Sequence, residues 1–189
     1  MKMNLYCKII FLQIILIFIY NGISFSQEIV WENISFGPSV SYLMFTEDLG
    51  SNWENSPAIG GVINYKIHSN VSVIAEGLIS KFNPKKANLP EIVYLGLIGG
   101  IKYSSDLAKN VSILFSGGIQ SNSFEFEEQG EHQLEDNSSE SEFGVFIGTG
   151  IGSTFINEIP LEINLRYQSI FTKPTAIKII SISLSVFIL

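Results

Sequence analysis

Five charged residues stand at positions where a β-strand would carry them on its polar face: Lys66, Glu76, Lys102, Glu162 and Arg166. Carboxylates and cations gathered in one narrow space can do one of two things. They can pair into a salt-bridged plug, because charges withdrawn from water must be paired or hydrated. They can instead form a file along which ions pass. The paired, filled interior is the expected arrangement. Glu162 and Arg166 are four residues apart, about 13 Å along a strand, so each is expected to find its partner on a different strand.

A second group is purely acidic. Glu125, Glu127, Glu128, Glu131, Glu135, Asp136, Glu140 and Glu142 fall in one segment with almost no apolar residues. Such a segment reads as an exposed surface loop. Its field would attract divalent cations or a basic partner. His132 between Glu131 and Glu135 has the donor types of a metal site, but acidic loop residues are ordinarily just solvated, and no metal or other cofactor is expected. His68, the other histidine, falls in a predicted turn at the opposite end of the molecule. No Ser-His-acid constellation can then be built on a strand near the rim, and no enzymatic activity is expected. The run Gly144, Gly148, Gly150, Gly152 is no phosphate loop. It lacks the Lys-Ser/Thr ending and alternates with apolar residues at strand period, so its glycines are expected to make room for interior neighbours.

The elements that must position these residues follow from a period of two. Successive side chains on a strand point to opposite faces. Segments of roughly ten alternating residues separated by turn chemistry are the signature of a transmembrane barrel. Eight occur here: residues 34–45, 58–67, 71–82, 92–103, 111–124, 143–155, 161–170 and 177–189. In the seventh, Leu161, Ile163, Leu165 and Tyr167 oppose Glu162, Asn164, Arg166 and Gln168. In the last, Ile180, Ile182, Leu184, Val186 and Ile188 oppose Ser181, Ser183 and Ser185. Pro38 interrupts the first and predicts a bulge or a local loss of pairing. Tyr42, Tyr65, Tyr103, Phe143, Phe155 and Tyr167 lie near strand ends on the apolar face, as aromatic girdles would. Lys178 has the parity of the apolar face but lies at a strand start, where it can snorkel to an interface.

The fold expected is therefore all-β: an eight-stranded antiparallel up-and-down transmembrane β-barrel. Lipid requires every backbone polar group to be paired, which a closed barrel achieves. Eight strands leave an interior just wide enough for side chains to fill. Shorter connections alternate with longer ones, which puts the short turns in the periplasm and the longer loops outside.

Composition agrees. The chain has 189 residues, 46% of them hydrophobic and only 15% charged. Yet beyond the first 25 or so residues no apolar run approaches the about 20 residues of a transmembrane helix. Residues 1–26 read as a secretory signal: Lys2 and Lys8 precede an apolar stretch, and Ser24-Phe25-Ser26 offers a cleavage site before Gln27. Residues 27–189 are then the barrel domain. Cys7, the single cysteine, leaves with the signal, so no disulfide or thiol chemistry is expected. The formal net charge of −7 argues against nucleic acid as a partner.

The chain resembles the outer membrane protein β-barrel domain families, which include OmpA/OmpX-like and PorT-like small barrels. The resemblance covers about residues 34–189. It rests on Ile34-Ser-Phe-Gly-Pro-Ser-Val40, on Ala75-Glu76-Gly77, on residues 142–152 and on residues 160–167. It implies a Gram-negative outer membrane location and insertion by the barrel-assembly machinery, and it carries over no activity. Such barrels commonly end on an outward aromatic residue; here Ile188 has the outward parity and Phe187 the other. A monomer with a structural or surface-interaction role, surrounded by outer membrane lipid and lipopolysaccharide, is the first expectation. A narrow channel or transport-associated barrel is the second. A soluble lipocalin-like binder of apolar ligands is the third. Periodicity alone does not say which face is inside. A soluble barrel should carry many charges on its polar face, and here that face is mostly Ser, Gly and Asn.

Overall fold

The computed structural model describes residues 33–127, 139–156, 159–172 and 175–188. Eight strands form one closed antiparallel barrel in chain order. They are β1 (Ile34–Phe45), β2 (Ser56–His68), β3 (Val71–Phe82), β4 (Glu91–Ala108), β5 (Val111–Glu127), β6 (Ser139–Ile156), β7 (Ile159–Ile170) and β8 (Ile177–Val186), with a short helix α1 (Glu47–Asn52) after β1. Following the ladder from Ile34 through Tyr65, Val73, Ile101, Gly117, Ile147, Tyr167 and Ile180 returns to β1 at Met44, ten residues from the start. That stagger is what a tilted, closed sheet of eight strands requires. The signal segment and Cys7 lie outside the described residues.

Which face is inside is now settled. Ile59, Ile63, Leu97, Ile101, Ile119, Ile147, Ile151 and Ile163 are each more than half exposed on the outer wall. Ser39, Ser41, Glu76, Gln120, Arg166, Gln168, Ser181 and Ser183 are buried inside. An apolar band this continuous far exceeds what a soluble monomer exposes. The lipocalin-like alternative needed the aliphatic stripe inside, and the structure places it outside.

Three strands run further than the apolar alternation does. β4 continues past Tyr103 to Ala108, where Ser104, Ser105 and Asp106 still pair with Leu114, Ile113 and Ser112. The predicted turn over 104–110 therefore shrinks to Lys109-Asn110, with Asn110 in the left-handed region at φ 69°. At the other end β5 reaches Glu127 and β6 begins at Ser139. A strand beyond the hydrocarbon band needs no apolar outer face, so periodicity cannot mark its end.

The seam closes with β1 and β8 paired from Ser39–Ser185 to Phe45–Ile179. At Pro38 this ladder lapses, then resumes as a single bridge between Phe36 and Ile188. The reason is local. Hydrogen-bonded pairs alternate along an antiparallel ladder. Phe36 and Ile188 exchange two such bonds, of 3.3 and 2.8 Å, so Pro38 occupies the next bonded position, without an N–H to donate.

Candidate functional site in the barrel interior

The interior is stacked in layers from the short-turn end to the loop end. Nearest the turns, Lys102 of β4 donates to Glu162 of β7. The Phe187 ring, 3% exposed, lies 5.2 Å from the Lys102 Nζ. Its backbone N–H is held by the Pro160 carbonyl at 2.9 Å. Phe187 thus faces inward as its parity required, and Ile188 stands on the outer wall, 57% exposed. A cation over an aromatic face is attracted by the ring quadrupole, more so when desolvated.

At mid-barrel, Arg166 of β7 donates to Glu76 of β3, both almost fully buried. Ser39 Oγ donates to the other Glu76 carboxylate oxygen at 3.0 Å. The Arg166 guanidinium lies 5.8 Å from the Phe146 ring centroid. The two ion pairs therefore join strands that are not neighbours in the wall. β6 makes this possible. A Cβ on Gly148 would sit 2.9 Å from the Arg166 Cγ and 2.8 Å from the Ser116 Oγ; one on Gly150 would meet the Asn164 Oδ1 at 2.4 Å. The inward glycines of β6 are the space into which the polar side chains of β5 and β7 lean.

Lys66 is placed differently from the other four. It lies at the turn end of β2, exposed, beyond the enclosed interior. The interior, expected to be filled by polar side chains, is not polar throughout. Toward the loops the interior is apolar: Leu43, Phe45, Phe82, Ile92, Tyr94, Phe124, Phe146, Ile170 and Ile179 form one buried cluster. Phe45, Phe82, Tyr94 and Phe124 run in sequence across it, with ring centroids 4.2, 6.2 and 5.3 Å apart. Tyr94 donates its hydroxyl to Asn122 Oδ1 at 2.6 Å, so the one polar atom of that run is satisfied. The parity of these residues is visible in the sequence; parity does not show that the large apolar side chains of the inner face gather at one end of the barrel.

A lid continues the apolar layer. Trp53, just after α1, is 8% exposed and donates its indole N–H to the Pro90 carbonyl at 3.0 Å. Lys85 donates its backbone N–H to the Asn52 carbonyl at 2.8 Å and its Nζ to Gly50 O at 2.6 Å. The first two long loops are therefore stitched together over the mouth. Phe124→Ala should destabilise the barrel by about 3–5 kcal/mol, the cost of an aromatic cavity in a packed layer. Urea titration in detergent micelles, followed by tryptophan fluorescence, measures it. A shift below about 1 kcal/mol would mean the layer collapses to fill the gap.

The acidic segment is split. Glu125 and Glu127 belong to β5, the latter opposite Glu91, and Glu140 and Glu142 belong to β6. Glu128, Glu131, His132, Glu135 and Asp136 lie outside the described residues. His68 is exposed at a turn, its Nδ1 3.0 Å from Ser69 Oγ. Among the described residues no three His, Cys, Asp or Glu side chains are grouped as metal ligands would be.

No protein-family model matches the chain, and no curated protein matches it. Solved structures do. Neisserial surface protein A is similar over 82% of this chain and 96% of its own, with a TM-score of 0.67 at 13% identity. Ail, the attachment invasion locus protein of Yersinia pestis, in complex with the heparin analogue sucrose octasulfate, is similar over 82% of this chain and 94% of its own, with a TM-score of 0.52 at 15% identity. The fold is thus the closed eight-stranded up-and-down barrel seen in small outer membrane proteins.

Proposed function

We propose that the chain is an outer membrane barrel of structural or surface-interaction role, closed to ions and without catalytic activity. The observation that carries the reading is a continuous apolar outer wall around an interior crossed by two ion pairs and an apolar, aromatic layer. Aromatic residues flank the wall: Phe36, Tyr103 and Phe115 toward the turns, and Tyr42, Phe143 and Phe171 toward the loops, all exposed. Rings at these levels suit the two membrane–water interfaces. Residues 1–26 would direct export, and the barrel-assembly machinery would insert the chain. Lipid and lipopolysaccharide would surround it as a monomer.

The interior supports closure. A conducting file needs hydrated charges, and here Glu76–Arg166 and Lys102–Glu162 are paired between an aromatic layer and Phe187. Purified protein in planar bilayers is expected to give no steady single-channel current. Steady unitary steps would sink the closed-barrel reading and favour the narrow channel. The same protein should run faster unheated than boiled on a denaturing gel and fractionate with the outer membrane. Recovery in the soluble periplasm without a heat-modifiable band would overturn the location.

A further inference from the structure

The apolar outer wall is hollowed on one side. Pro38, Gly61 and Gly77 follow one another across the β1–β2–β3 ladder, and Ala75 lies two residues from Gly77 on the same face. With so little side chain on three neighbouring strands, the wall forms an apolar groove of about 730 Å³. Phe36, Ile63 and Ile188 bound it toward the turns and Leu97 toward the loops, each more than half exposed. The floor itself is reached from outside, for Pro38, Gly61 and Ala75 are exposed.

The depth of the groove follows from β1. Phe36 is one of the turn-side aromatic residues and Tyr42 one of the loop-side ones, both exposed. Pro38 stands between them, about 7 Å along the strand from Phe36 and about 13 Å from Tyr42. The groove therefore lies within the hydrocarbon band and nearer its turn side. Its floor and sides carry no polar side chain, since Glu76, between Ala75 and Gly77, turns its carboxylate inward to Arg166. Nothing there would hold a headgroup or a polar partner. A chain of methylene groups would touch the floor and both sides at once, where a smooth wall offers one side. Such dispersion contacts are what favour one neighbour over another in lipid. A second barrel fits less well. A two-fold contact sets the same patch against itself, and two hollows face to face would enclose a void.

We propose that this groove holds one acyl chain of a phospholipid from the periplasmic leaflet. The assignment rests on the outer membrane placement with periplasmic turns proposed above, which fractionation tests separately. The site selects by shape alone, a hollow in the wall that hydrocarbon continuous with the bilayer fills.

The test uses the folded barrel in vesicles of phosphatidylethanolamine and phosphatidylglycerol. The vesicles are doped with phosphatidylethanolamine that carries a diazirine either near the headgroup or near the chain end. After illumination, labelled residues are located by peptide mass spectrometry. Labelling should concentrate on β1, β2 and β3 around the groove. The headgroup-end probe should mark Phe36 and Ile188, and the chain-end probe Gly77 and Leu97. Gly61→Leu and Gly77→Leu, together and singly, fill the floor. A Cβ at these positions would have no neighbour nearer than 3.7 and 3.5 Å, so the new side chains have room to stand in the groove. The double variant should lose the concentrated labelling and label evenly around the wall. Even labelling of the wild type would overturn the proposal, and so would concentrated labelling that survives the filling. The reverse order of the two probes would bring the chain from the lipopolysaccharide leaflet and overturn the source. A wild-type dimer that the filling abolishes, seen by chemical crosslinking, would give the groove to a second copy and overturn it too. Heat-modifiable migration of each variant reports separately on the barrel, and either single variant serves if the double one does not fold.

Discussion

Arg166→Ala is expected to cost about 3–5 kcal/mol of barrel stability, because it leaves the Glu76 carboxylate buried without its cation. Glu76 is 3% exposed and Arg166 4%, so the carboxylate left behind stays withdrawn from bulk water. Among the described residues, Ser39 would remain as the hydrogen-bond donor to Glu76, through a single hydroxyl at 3.0 Å. The complementary change is more telling. Replacing both residues with apolar side chains of similar volume, E76L/R166M, should be far less damaging than either single change, since a buried ion pair contributes little net once desolvation is counted. A double-mutant cycle by urea unfolding in micelles measures the coupling directly. Additive single and double effects would mean that the two side chains do not form one unit.

Gly37→Ala should fail at the seam. A Cβ at Gly37 would lie 1.7 Å from the Val186 carbonyl oxygen and 2.8 Å from its carbon, contacts with backbone rather than with a side chain that could turn away. The β1–β8 ladder is already interrupted beside it at Pro38, and on its other side the Phe36–Ile188 bridge pins the two strands at close approach, so the seam cannot open there without breaking that bridge. Most refolded Gly37→Ala should lack the fast-migrating unheated band. Gly61→Ala is the control. It lies directly across the β1–β2 ladder from Pro38, where the nearest atom to a new Cβ is 3.7 Å away, and it should fold like the parent. Normal yields of both would mean that β8 can shift outward near Val186 at small cost.

Much of the architecture could be read from residue order. The bounds 34–45, 71–82 and the strand count came from alternation alone, because a strand that separates lipid from a polar interior must alternate. The loss of pairing at Pro38 followed from the missing N–H. Other features could not be read this way. α1 is six residues long, too short for a helical period to show against a polar loop. The ends of β4, β5 and β6 lie beyond the apolar band, where nothing in the pattern distinguishes strand from loop. The acids at 125, 127, 140 and 142 therefore read as loop residues, although they extend a sheet.

The charged residues divide along the same line. That Glu76, Lys102, Glu162 and Arg166 share the inner face was a matter of parity. Which carboxylate meets which cation was not, since Glu76 and Arg166 are 90 positions apart on strands that are not adjacent. Only closure with a ten-residue stagger brings them together, and only the inward glycines of β6 leave room for the contact. Sequence by itself determined that this chain alternates into eight amphipathic strands with few charges on the polar face. The tertiary structure decided which face met the outside and which charges paired, because both depend on how the last strand meets the first.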